Sequence, residues 1–81
     1  MPEAQTAEAG ARRVLQVFLG HNLRAGDVLQ SDSFVAPFSK PGWGPDDFDA
    51  GVEYAIAEDW IELVSTQSYR LTAEGFAEAS G

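Results

Sequence analysis

The sequence predicts a small α+β domain, and three observations carry that expectation. Apolar residues recur with helical period around 6–22 and again around 45–59. The period then switches to strict alternation after residue 60, and a polar stretch, Ser65–Ser68, separates two alternating runs. With 81 residues the chain has room for one domain, 1–81, whose ordered core is expected over about 7–79. A chain this short buries only about 60% of its unfolded surface, so the core must be small and close-packed. There are no cysteines to supply a disulfide framework or a thiolate metal site. The hydrophobic fraction of 44% is too high for a disordered chain.

The first helix is expected from Thr6 to Asn22. Ala7, Ala11, Val14, Leu15, Phe18 and Leu19 fall at i, i+3, i+4, i+7 spacing and form one apolar stripe. Glu3 and Glu8 sit near its start, where the helix dipole favours anions, and Gly20 with Leu23-Arg24-Ala25-Gly26 supplies the stop. Asp27–Gln30 reads as a short extended piece. Ser31 or Asp32 is placed to cap a short helix through Phe34, Val35 and Phe38, which Pro37 would kink or end for want of an amide donor. Lys40–Pro45 is a turn-rich loop, with Trp43 expected as a lid on the core.

Pro45 suits the first position of a second long helix, and Asp46, Asp47 and Asp49 fill its first turn. Phe48, Val52, Ala55 and Ile56 are its expected buried stripe, and it should end near Asp59 or Trp60. Ile61 and Leu63 then face one way, with Glu62 and Val64 opposite. Past the four-residue polar loop, Tyr69 and Leu71 face one way, with Arg70 and Thr72 opposite. An isolated hairpin is marginal, so it must pack on the helices. Thr72 is a suitable N-cap for a short final helix through Ala79, and Trp60, like Trp43, belongs to the edge of the core.

This order resembles the winged helix-turn-helix family over roughly residues 7–79. Two stretches carry the likeness. Ala55-Ile56-Ala57-Glu58-Asp59-Trp60-Ile61-Glu62-Leu63 resembles the end of that family's third helix running into the wing. Tyr69-Arg70-Leu71-Thr72-Ala73-Glu74-Gly75-Phe76 is similar to the returning strand and its step into a final helix in MarR- and PadR-type domains. The resemblance implies a three-helix core, a C-terminal β-hairpin wing and a short final helix. It also implies that 45–59 stands in the recognition-helix position, with Ser65–Ser68 at the wing tip. In DNA-binding members those elements carry base and phosphate contacts, usually through Arg, Lys, Gln or Ser.

The charges depart from that pattern. Thirteen acids against five bases give −8 and a pI near 4.2. Such a field repels polyanions and favours basic partners, although acidity also serves solubility alone. The face of 45–59 opposite its apolar stripe presents Asp46, Asp49, Ala50, Glu53, Tyr54, Ala57 and Glu58, with no Lys or Arg. Asp46 and Asp47 offset the helix dipole, which does not explain Glu53, Glu58 and Asp59. The expected function is a non-enzymatic protein–protein interaction or regulatory module, with Asp49, Ala50, Glu53, Tyr54, Ala57 and Glu58 meeting a protein partner of basic character. Tyr54 reads equally as an ordinary half-buried helix tyrosine. The alternative is a DNA-binding transcriptional regulator using Arg12, Arg13 and Arg70, with a homodimer concentrating these scattered bases.

No catalytic constellation is present. His21 is the only histidine and lies at a helix end, where an imidazole commonly helps cap carbonyls. Asp46-Asp47-Phe48-Asp49 lacks the spacing, glycine turn and terminal Glu of a calcium loop, and Gly42-Trp43-Gly44 lacks the Gly-Lys-Ser/Thr of a phosphate cradle. Neither metal nor cofactor is expected. Met1–Gly10 has no signal-peptide pattern, and no apolar run approaches the roughly 18 residues of a membrane span. A cytoplasmic protein without membrane contact is the expectation.

Overall fold

The computed structural model describes residues 6–80. It is an α+β arrangement of three helices and a three-stranded antiparallel sheet. Helix α1 spans Ala7–Gly20, strand β1 Val28–Gln30, helix α2 Pro45–Ala57, strands β2 and β3 Ile61–Ser65 and Ser68–Leu71, and helix α3 Ala73–Ser80. The sheet order is β1-β3-β2, so the short first strand joins the hairpin along its returning strand.

Thr6 caps α1 by accepting from the Ala9 amide at 3.0 Å, and Glu8 lies in its first turn; the expected contribution of Glu3 lies outside the described residues. The stop is not Gly20 but Asn22, which takes φ 59°. Asn22 and Leu23 donate to the Leu19 and Phe18 carbonyls at 2.9 and 3.1 Å, the paired closure of a Schellman motif. The buried stripe also takes in Gly10 and Val17, while Leu19 is half-buried.

The expected short helix at 31–38 is instead two 3-10 turns, Ser31–Phe34 and Pro37–Ser39. Neither Ser31 nor Asp32 caps the first: Gln30 holds the cap position and makes no side-chain bond there. Pro37 opens the second turn, where its missing amide costs nothing, and prevents the two from merging into one α-helix. Two α-helices, α1 and α2, therefore pack directly on each other, with α3 against α1, in place of the three-helix core.

Helix α2 starts at Pro45 as expected, and the Asp47 carboxylate accepts from the Gly44 amide at 2.8 Å. Its buried face is Gly51, Val52 and Ala55, with Phe48 partly buried; Ile56, expected inside, is 37% exposed. At 3.6 residues per turn Ile56 lies about 90° from the middle of that face, which Ala55 occupies. Where α1 and α2 cross, Gly10 meets Gly51. A Cβ on Gly10 would stand 2.6 Å from the Asp47 carbonyl oxygen, and one on Gly51 would stand 2.4 Å from the Gly10 carbonyl carbon. The two glycines set how closely the helices approach.

Ile61, Tyr69 and Leu71 are buried under the helices as the alternation requires, but Leu63 is 57% exposed. It lies opposite Tyr69 and on the same face, in a strand at the edge of the sheet. The turn is tighter than expected, since Ser65 and Ser68 already pair across the strands and only Thr66 and Gln67 lie between them. Phe18, Phe34, Leu15, Ile61, Leu71 and Val14 are the largest fully buried side chains, and no polar side chain is buried among the described residues. No helix of the described residues is long and apolar enough to cross a membrane.

Candidate partner-binding surface

The outward face of α2 assembles from helix geometry alone. With Gly51, Val52 and Ala55 turned inward, Asp46, Asp49, Glu53, Ala57 and Glu58 are exposed, and Ala50 and Tyr54 are half-exposed at its flank. The six residues expected to meet a partner therefore share the solvent side of one helix and its cap. Ala50 and Ala57 are the small residues among its carboxylates.

Tyr54 leans off this face onto Trp60, with ring centroids 5.6 Å apart. Arg12 from α1 covers the same Trp60 ring at 5.2 Å and pairs with Glu78 of α3 at 2.8 Å and Glu8 at 3.2 Å. Tyr54 is thus half anchor and half packing. Its hydroxyl pKa is raised, first by burial and then by Glu8 and Glu58, with Arg12 opposing. The two glutamates that bond Arg12 also raise its pKa.

Arg13 and Arg70 are occupied as well. Arg13 donates to the Pro37 carbonyl at 2.9 Å and lies 4.5 Å over the Trp43 ring, while Trp43 packs edge-on against Phe38 at 5.4 Å. The expected lid on the core is in place, held by a cation–π contact. Arg70, on the sheet face away from the helices, pairs with Glu62 at 3.3 Å. Arg12, Arg13 and Arg70 thus point to α3, the second 3-10 turn and the outer sheet face respectively, and do not converge. Exposed ion pairs are weak bonds, but each still places a carboxylate where a phosphate would have to come. Arg24 and Lys40 are exposed and form no ion pair among the described residues.

A groove of about 560 Å³ opens at the other end of α2, between its first turn and the two 3-10 turns. Phe34, Val35, Phe38, Pro45 and Phe48 line it, with Asp32 and Gln67 at its margin. Sequence reasoning missed it, because a helix was expected where the 3-10 turns lie. A second hollow of about 340 Å³ lies beside Arg13, Gln16 and His21. His21 itself is exposed at the end of α1, and its backbone amide, not its ring, closes the helix. Among the described residues no group of three or more His, Asp or Glu is placed to hold a metal ion.

Comparison with family models, with characterised proteins and with solved structures gave no match to this chain. What it does must therefore be argued from its own surface.

Proposed function

We propose that this chain is a non-enzymatic, partner-binding domain on a winged-helix-like scaffold, and that the outward face of α2 docks a basic protein surface. The order of elements and the β1-β3-β2 sheet are compatible with a small winged-helix-like domain of the kind that Tyr69–Phe76 resembles. The observation that carries the reading is the face itself: Asp46, Asp49, Glu53 and Glu58 around Ala50, Ala57 and Tyr54, without a base. Phosphate neutralisation supplies most affinity for nucleic acid, and this helix has nothing to supply it with. A rim of carboxylates around small residues and a tyrosine instead permits close approach, an anchor and electrostatic steering of a cationic partner.

A photo-crosslinking residue placed at Ala57 tests this directly. The expected product is a covalent adduct to protein that is lost when Glu53→Lys and Glu58→Lys are introduced together. Adducts to nucleic acid, or protein adducts indifferent to those reversals, would defeat the reading.

A further inference from the structure

We infer that the groove between the 3-10 turns and the start of α2 receives an apolar side chain of a partner segment whose neighbouring residues are lysine or arginine. This rests on the partner-binding reading and adds a second, separate contact to it. The floor is preformed. Phe34 and Phe38 are 1% and 5% exposed, and their rings meet Phe48 at 5.3 Å in both cases. Tyr69 closes on Phe34 at 6.0 Å. Rings locked on several sides do not fold in to fill the opening.

The rim is unusual for the opposite reason. Val35 is 62% exposed, more than any other large apolar residue described, and stands between the two 3-10 turns with Ser39 Oγ donating to its carbonyl at 2.6 Å. A branched aliphatic so exposed in the isolated chain would extend the apolar wall around an inserted side chain.

The charge selects the flanks of the occupant. Asp32 sits at the margin, and Asp46 is exposed in the first turn of α2 next to the lining Pro45, while Asp47 is engaged by the Gly44 amide. Lys40, next after Ser39, is the opposing charge, outnumbered within a chain of net −8. The lining offers no cation for an anionic metabolite, and no histidine or lysine beside its serines, Ser31 and Ser39. It offers apolar area, the Gln67 amide, and carboxylates outside, which is the complement of an apolar anchor between basic residues.

The test is selection of short displayed random peptides on the full chain, followed by anisotropy titration of the best synthetic peptide. Sequences with an aromatic or aliphatic anchor beside Lys or Arg are expected. Val35→Asp, whose fold circular dichroism checks, should weaken binding by at least about tenfold, and Asp32→Asn by about threefold. Acidic consensus sequences, or unchanged affinity with Val35→Asp, overturn the groove. If Val35→Asp is neutral while Glu53→Lys weakens binding, docking moves to the α2 face: the groove falls and the reading above stands. A dimer in sedimentation that Val35→Asp dissociates would make a second copy the occupant and would equally overturn the proposal. Absence of any enriched sequence counts against both.

Discussion

Asp59 ends α2 at φ 60°, a left-handed backbone that costs an L-residue other than glycine roughly 1 kcal/mol, somewhat less for Asp and Asn. The position is forced, because Asp59 and Trp60 donate to the Ile56 and Ala55 carbonyls at 3.1 and 2.8 Å and turn the chain into β2. Asp59→Gly should therefore stabilise the fold by about 0.5–1 kcal/mol, read as a raised urea midpoint at unchanged slope. Thr72 shows why the Tyr69–Gly75 step reads as it does. Its hydroxyl shares its one proton between the Asp59 and Trp60 carbonyls and accepts from the Gly75 amide at 3.0 Å, so one side chain caps α3 and ties it to the end of α2. Thr72→Ala should cost about 1–2 kcal/mol, and Thr72→Ser should retain most of the cap. The cap was legible from residue type. Asn22 and Asp59 were less so, since either residue serves many turns and only the closing hydrogen bonds fix the left-handed geometry.

At the scale of elements, glycines decide the packing. Gly75 lets α3 seat on the Trp60 carbonyl, which a Cβ there would meet at 2.0 Å, and Gly10 with Gly51 brings α1 onto α2. Gly51→Ala should lose about 1–3 kcal/mol to overpacking, more than the roughly 1 kcal/mol that alanine gains as a helix former, in chemical denaturation. The long helices and the hairpin were readable because their periodicity is strong. The two glycines were not, since a glycine inside a helical pattern looks like a weak spot until its neighbour across the interface is known. Likewise Phe34, Val35 and Phe38 advertised a helix by spacing, but Pro37 divides them into 3-10 turns and opens the groove. Alternation puts Leu63 on one face with Ile61, yet Leu63 is 57% exposed where Ile61 is buried, a difference no local pattern reveals.

Across the whole molecule, charge outweighs every other surface property. The acids of α2 were plain in the sequence; that Arg12 and Arg70 are each paired with carboxylates, and Arg13 with rings and a carbonyl, required the fold. Burial raises the Tyr69 hydroxyl pKa, with the Asp49 carboxylate adding to it. The native state therefore holds that proton when the unfolded chain has released it. This stability is fully present below about pH 10 and is lost as pH rises through the higher folded value, so urea midpoints should fall above about pH 10, less so in Tyr69→Phe. The net charge bears most on the choice between polyanion and protein. Titrating the chain into a fluorescently labelled duplex of mixed sequence at about 150 mM salt, with anisotropy as the readout, decides it. The expected result is no saturable rise, at that salt or at about a third of it, and no change with Arg70→Glu. Tight binding that weakens steeply with salt and is lost with Arg70→Glu would contradict the partner-binding role of α2.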